Sequence, residues 1–550
     1  MASTNILRSR RSAAQLHAVA SVEREIRAND HSAGRRYLRD FRDAYQSYQR
    51  VLTTEQVRTE ISQADVALVA DYHALPNCQR YLASLIRDPQ VHSRPIVLGL
   101  ETIFARDQHI LNEWFQREID DDELRHRIRF DLDWGYDWTP FYELLSAARD
   151  HAQAIYGLDC MPREDLRKIG ARDRHASDKI AEIRGRHPDA LILVFFGESH
   201  LAPNHLPQGV RKALPSESIV TVLQNVDALY WHAAGEATDR VEAVELANNV
   251  FCIFNATPLE KYENYRLYLN RWVHDGPGGP DLAPTMYNLI DGLVRLLAIN
   301  RYSPTNTSQP RLLVDHMPEV YSRGSDTLLR RLLSRKGFSA EQRRAILRRV
   351  KERGSVYLPP LNVVYVRQFQ MIAAAEDSAR FLHHACRGLP DRANGHGLQT
   401  SLEDAFYATV MEHALACFGS RVLYPARPAF RDSELYELYE LTREDLEQQT
   451  SLCYSEAIEA IDCLTLHRES HRGRRKTTQD VEWLTRAYAF TGRKYEFVTE
   501  RLGLLVGHDI YDAYLDGRLN PPALRKLFLA HIEEPGVARE TYFQLNAKVR

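Results

Sequence analysis

At 550 residues the chain is too long for one compact core, so two or three domains are expected. Apolar residues make up 44% and charged residues 26%, an ordinary composition for a water-soluble globular protein. The formal net charge of −3 gives no global attraction to nucleic acid or an anionic membrane, and nucleic acid is not an expected partner.

The first 25 residues carry Arg8, Arg10 and Arg11 but no apolar stretch long enough for a secretory signal. No run of ~18 uninterrupted apolar residues follows, which predicts a cytoplasmic protein without a transmembrane segment. Seven cysteines lie scattered with no CxxC pair, which fits a reduced, intracellular chain rather than a zinc ribbon or a redox dithiol. Residues 1–55 read as a helical arm. Within it, 35–51 place Leu38, Phe41, Tyr45 and Tyr48 on one apolar helix face, expected to pack on the outside of the next domain.

Residues 56–230 alternate strands and helices. Strands are predicted at 66–70, 95–100, 153–158, 190–196 and 218–223, with helices near 77–88, 106–117, 140–152 and 173–186. Asn77 is the expected N-cap of the first of these helices. The alternation predicts an α/β fold, a mainly parallel sheet flanked by helices. Its strands are continuous apolar runs, as in a sheet covered on both faces. The aromatic segment 118–139, with Trp134, Tyr136 and Trp138, breaks the alternation. It reads either as a pocket wall over the strand ends or as a loop packed on the core.

Residues 231–300 are an extension and linker, with an apolar run at 250–256, helical patterns at 258–272 and 284–298, and a breaker at 275–283. From 301 to 550 the strand signal fades and a large all-helical region is predicted. Its helical patterns lie at 361–386, 402–418, 433–466 and 478–502. Ser339 caps another. The basic run 467–476 reads as a solvated loop.

One pattern occurs twice. VALVADYHALPN at 66–77 and ILVFFGESHLAPN at 192–204 share an apolar run, a small residue, a carboxylate, one residue, a histidine, and then Pro-Asn. Open α/β sheets bind ligands beyond the carboxyl ends of their strands, where both copies place a carboxylate and an imidazole. Asp71, Glu101, Asp159 and Glu198 all fall at predicted strand ends; Asp159 also reads as a helix cap, and Asp173 stands at the head of a helix. Such a group can hold a divalent metal through His73 and His200, exchange protons in hydrolysis, or bind haem iron through an imidazole or through Tyr72 as a phenolate. GESHL lacks the second glycine of a nucleophile elbow, and phosphate loops, G-x-G-x-x-G after the first strand and H-E-x-x-H are absent.

At these residues the sequence resembles the ChaN-like haem-binding uptake domain of the Tiki superfamily, which includes the erythromycin esterases. The family's first strand ends in a G-E-x-H turn, here ADYH, with Ala70 and Asp71 substituted and His73 kept. Its L-E strand end and following Gln are Glu101 and Gln108. Its Trp-rich segment and Tyr helix match DWGYDWTPFYELLSAAR, with Tyr142 and Arg149. Its helix start is Arg172-Asp173, and its G-x-x-H is Gly197 with His200.

The resemblance covers roughly residues 60–225. It implies a site built from His73, Glu101, Asp173 and His200 and a haem or related iron ligand. With the residue pattern, the ligand-binding candidates are Asp71, Tyr72, His73, Glu101, Trp134, Tyr142, Arg172, Asp173 and His200. Three readings follow. The first is haem binding at the strand ends. The second is metal-dependent or acid–base hydrolysis, with Glu101 or Glu198 activating water. The third is an interaction protein whose helical half binds a protein partner.

Overall fold

The computed structural model describes residues 2–30, 36–161, 169–238, 240–273, 281–299, 317–322, 325–387, 401–470 and 478–549. Most of the breaker at 275–283 and of the basic run at 467–476 therefore lies outside the described residues. The chain divides into two compact units: Met1–Arg8 with Val22–Val273, and Ser9–Ser21 with His274–Arg550. Among the described residues no helix is long and apolar enough to cross a membrane.

The first unit is built on an eight-stranded sheet. Its strands are β1 (Arg50–Leu52), β2 (Val66–Asp71), β3 (Ile96–Phe104), β4 (Ala154–Asp159), β5 (Leu191–Gly197), β6 (Ile219–Gln224), β7 (Ala243–Ala247) and β8 (Val250–Ile253), in the order β1-β7-β8-β6-β2-β5-β3-β4. From β8 to β4 every pairing is parallel; β1 and β7 add an antiparallel edge. All five predicted strands are present. The sheet also takes in 243–253, so the apolar run at 250–256 completes it.

Burial explains why the strands read as continuous apolar runs. Ala67, Val69, Leu193 and Phe195 pack into one core, while Val66, Leu68, Val194 and Phe196 pack into another. Both faces are dry, so neither strand alternates polar with apolar. The N-terminal segment packs on one of these cores through Phe41 and Tyr45, but the helix expected over 35–51 ends at Ala44, and Arg50–Leu52 pair into the sheet as β1 instead. The Tyr45 hydroxyl donates to the Leu201 carbonyl at 2.7 Å.

One predicted cap differs. The helix Pro76–Arg87 begins after Leu75, with Pro76 in its first turn. No side chain caps the helix; the Cys78 amide donates to the Leu75 carbonyl at 3.0 Å. Asn77 instead donates to the Asn255 carbonyl at 2.7 Å.

The second unit is mainly helical, as expected, and Ser339 caps the helix Ala340–Arg353 in a reciprocal pair with Gln342. It also contains a small sheet that the sequence reading did not anticipate: β9 (Glu319–Ser322), β10 (Ser355–Leu358) and β11 (Val363–Val366). The helical pattern at 361–386 thus divides into β11 and the helix Met371–Arg387. Asn362, at φ 51°, makes the turn between β10 and β11.

Candidate functional site

Strand order brings the two echoing turns together. β5 lies between β2 and β3, with Asp71 in register with Gly197 and Leu100 in register with Phe195. Glu101 follows Leu100, where the pairing of β3 with β4 shifts register. Such irregularities re-aim side chains beside ligand sites. A Cβ at Gly197 would stand 3.0 Å from Glu101 Oε2 and 3.2 Å from the His73 ring. Glycine is what lets both groups close in.

The two imidazoles are held alike. His73 Nδ1 lies 2.8 Å from Asp71 Oδ2, and Gln79 donates to the other Asp71 oxygen at 2.6 Å. His200 Nδ1 lies 2.5 Å from Asp173 Oδ1, and the Tyr37 hydroxyl donates to Asp173 Oδ2 at 2.8 Å. An ionised carboxylate only accepts, so each Nδ1 carries a hydrogen and each ring is turned with its Nε2 away from that carboxylate. Both Nε2 atoms face Glu101: His73 at 3.9 Å from Oε2 and His200 at 3.7 Å from Oε1. The His73 side chain is 24% exposed and that of His200 only 4%.

Glu101 and Arg172 form the buried centre. Arg172 donates to Glu101 Oε1 at 2.5 Å and to both Asp159 oxygens at 2.7 and 3.0 Å. The Gly197 amide donates to Glu101 Oε2 at 2.6 Å. Burial alone would raise the Glu101 carboxyl, but His200, Arg172, His73 and the Gly197 amide outweigh it and hold it at about 2. Burial also pulls against the charge of Arg172, which Glu101 and Asp159 stabilise in return. For Asp71 burial wins, and its carboxyl stands above the usual range despite His73 and Gln79.

Glu198 is wired differently. Both its oxygens lie 3.2 Å from Lys261 Nζ, and that ammonium sits 4.4 Å from the centre of the Tyr72 ring and 3.8 Å from Asp227. Burial raises the Glu198 carboxyl, with Lys261 offsetting part of the shift. Burial, and then the charge of Glu198, push the Tyr72 hydroxyl far up, so it stays a phenol. Trp134 and Tyr136 stand 4.4 and 5.3 Å from His73, ring centre to ring centre, and Tyr136 stacks on Tyr268 at 4.1 Å.

The candidates Asp71, His73, Glu101, Arg172, Asp173 and His200 therefore meet in one cluster. Trp134 lines it, and Tyr72 and Glu198 flank it through Lys261. Tyr142 points elsewhere, donating to Asp121 at 2.5 Å. The sequence reading missed Lys261, Tyr37 and Gln79. Tyr262, Tyr265 and Tyr268 recur every third residue on the helix Pro258–Val273, and that spacing is the one signal that could have drawn attention to the segment carrying Lys261.

Among the described residues no group of three or more His, Cys, Asp and Glu is arranged to hold a metal ion. Both Glu101 oxygens are already committed, to Arg172 and to the Gly197 amide. The cluster as it stands does not fit a divalent ion.

The family model described as "Haem-binding uptake, Tiki superfamily, ChaN" matches residues 57–192. No curated protein matches the chain by sequence. Two solved structures are similar over part of it. One is titled "Cofacial heme binding to ChaN of Campylobacter jejuni", with 16% identity over 32% of this chain and 88% of that chain and a TM-score of 0.26. The other is "The structure of the type III effector HopBA1", with 13% identity over 38% and 96% and a TM-score of 0.28. The family match ends inside β5, before Gly197 and His200. Residues 57–192 are a ChaN-like segment of the Tiki superfamily.

Proposed function

We propose that the strand-end cluster is an acid–base centre that hydrolyses an acyl bond. The observation that carries this reading is the paired geometry: two imidazoles, each locked at Nδ1 by a carboxylate, both presenting Nε2 to one ionised glutamate. His73 is the more exposed of the two and is the base. Its Nε2 takes a proton from water as the water oxygen bonds to the acyl carbon. The imidazolium so formed is stabilised by Asp71 and by Glu101. The bond to the leaving group then breaks, and the departing oxygen or nitrogen takes that proton back from His73. Glu101, held near a pKa of 2 and bonded to Arg172, orients and stabilises charge and does not serve as the base. The test is a panel of ester, lactone and peptide substrates assayed with the parent, His73→Ala and His200→Ala. Turnover by the parent that both variants lose is expected; no turnover on any substrate, or turnover that survives His73→Ala, sinks the reading.

The family match favours a second reading, a haem or related iron-containing ligand bound at the same strand ends. The donor set fits: an imidazole bonded to a carboxylate at one nitrogen offers the other to a metal. His73 would ligate the iron, and Trp134 and Tyr136 would flank the macrocycle. Bound haem would supply redox or oxygen chemistry. Haem titration followed by absorption decides it: a shifted Soret band lost in His73→Ala is expected, and a spectrum identical to free haem rejects it.

A further inference from the structure

The mainly helical unit holds a cavity of about 370 Å³ that the strand-end chemistry does not use. Volumes of roughly 300–1,000 Å³ are usual for small-molecule sites. Its lining combines apolar side chains, Phe338, Ile346, Val356, Leu358 and Pro359, with four arginines and four glutamates. Arg349 Nη2 is buried without a hydrogen-bond partner among the described residues, and so is the Nε of Arg380, a residue only 5% exposed.

The acids around the cavity do not answer Arg349. Glu496 is taken by Arg348 at 2.6 Å, Glu500 by Arg353, and Glu412 lies 3.5 Å from His384. Glu352 is exposed. Arg380 spends its other nitrogens on Glu376 and Asp377, and Glu376 also serves Arg353 and Arg427. Arg380, then burial, then Arg353 push the Arg349 guanidinium down to about 10, outweighing Asp377 and Glu376. Burial, with Arg380 and Arg349, holds His413 at about 3, so at neutral pH it adds no charge. A buried N–H left unpaired has lost its water without replacement, and a guanidinium pairs best with an oxyanion.

We propose that this cavity binds a small organic anion, its carboxylate or similar oxyanion on Arg349 and its apolar body against Ile346, Val356 and Leu358. Neither feature suffices alone. An apolar pocket without the free guanidinium N–H would take a neutral molecule, and a bare arginine cluster would take inorganic phosphate.

The test is calorimetric titration of the full chain with octanoate, octan-1-ol and inorganic phosphate. Octanoate is expected to bind at a single saturable site, at least about tenfold tighter than either comparator, a difference of about 1.4 kcal/mol. Arg349→Gln is expected to weaken octanoate at least about tenfold. Should that variant fail to fold, Ile346→Glu provides the second arm. Ile346 is half-buried, and a carboxylate there repels the same anion. Octanol or phosphate binding as tightly as octanoate overturns the proposal. So does either folded variant binding octanoate as the parent does, or a parent that binds no octanoate.

Discussion

In the first strand-end turn Asp71 holds His73, its neighbour but one; in the second, Glu198 leaves His200 to Asp173 and turns to Lys261. The two turns have the same residue pattern and end adjacent strands, yet one imidazole takes its carboxylate locally and the other from a helix 27 residues earlier. Burial goes with the difference. His73, served locally, keeps 24% of its side chain exposed, whereas His200 is closed in among Asp173, Tyr37 and Phe196. A local partner needs no further packing to stay in place; a distant one holds only while the helix and its neighbours stay docked. The open histidine is suited to meet a ligand and the closed one to fix the charge of Glu101.

Both turns depend on the Glu101–Arg172 centre, so breaking it is expected to give the largest effect. Arg172→Ala leaves Glu101 and Asp159 buried without their counter-charge, a loss of about 3–5 kcal/mol. Urea unfolding measures it, and a loss under about 1 kcal/mol would show that the two turns stand without a common centre. Acid should act on the same centre. The folded Glu101 carboxyl, at about 2, lies below its unfolded value, so its contribution is complete above about pH 4.5 and fades as pH falls toward 2. That contribution is on the order of a few kcal/mol. Asp71 and Glu198, raised by burial, work in the opposite sense: each favours folding most below its unfolded pKa and loses that contribution as pH rises through its folded pKa. Glu101→Gln should therefore flatten the acid limb of the stability curve. Parent and variant curves that fall in parallel between about pH 5 and pH 2 would remove Glu101 from the explanation.

Truncating each histidine separates the turns directly. His200→Ala strands the buried Asp173 and is expected to cost about 1–3 kcal/mol. His73→Ala likewise strands a buried carboxylate, Asp71, and is expected to cost no more than that, while removing turnover or haem binding completely. Thermal unfolding alongside either ligand assay reads both quantities. A larger stability loss from His73→Ala would reverse the assignment of open and closed roles.

What the sequence displayed was whatever depends on near neighbours. Five of the six parallel strands were legible because each is one apolar run with both faces buried, and so were the carboxylates and histidines that end them. Long-range wiring was not. Nothing around Glu198 says that its partner is Lys261, a single lysine 63 residues later on an aromatic helix. The expected cap at Asn77 is absent because the helix starts one residue earlier, at Pro76, and takes Asn77 into its first turn. β9 and β11 escaped notice because each is four residues long, too short for a periodicity to register, and β11 runs almost directly into a helix.

The smallest effect tests the long-range half of the comparison most sharply. Tyr37 comes from the N-terminal helix Arg36–Ala44, and its hydroxyl is the second bond on Asp173, the carboxylate that holds His200. Removing only that oxygen, Tyr37→Phe, keeps the ring that stacks on His205 at 3.8 Å and loses one hydrogen bond, about 0.5–1.5 kcal/mol. A double-mutant cycle locates the loss. Combined with Asp173→Asn, Tyr37→Phe should show a coupling of at least about 0.5 kcal/mol, because the two side chains share that bond. Combined with His73→Ala, it should be additive within about 0.3–0.5 kcal/mol, because the first turn takes its carboxylate locally. Coupling of the same size in both cycles would mean that the two turns respond as one unit, and local wiring would then no longer distinguish His73 from His200.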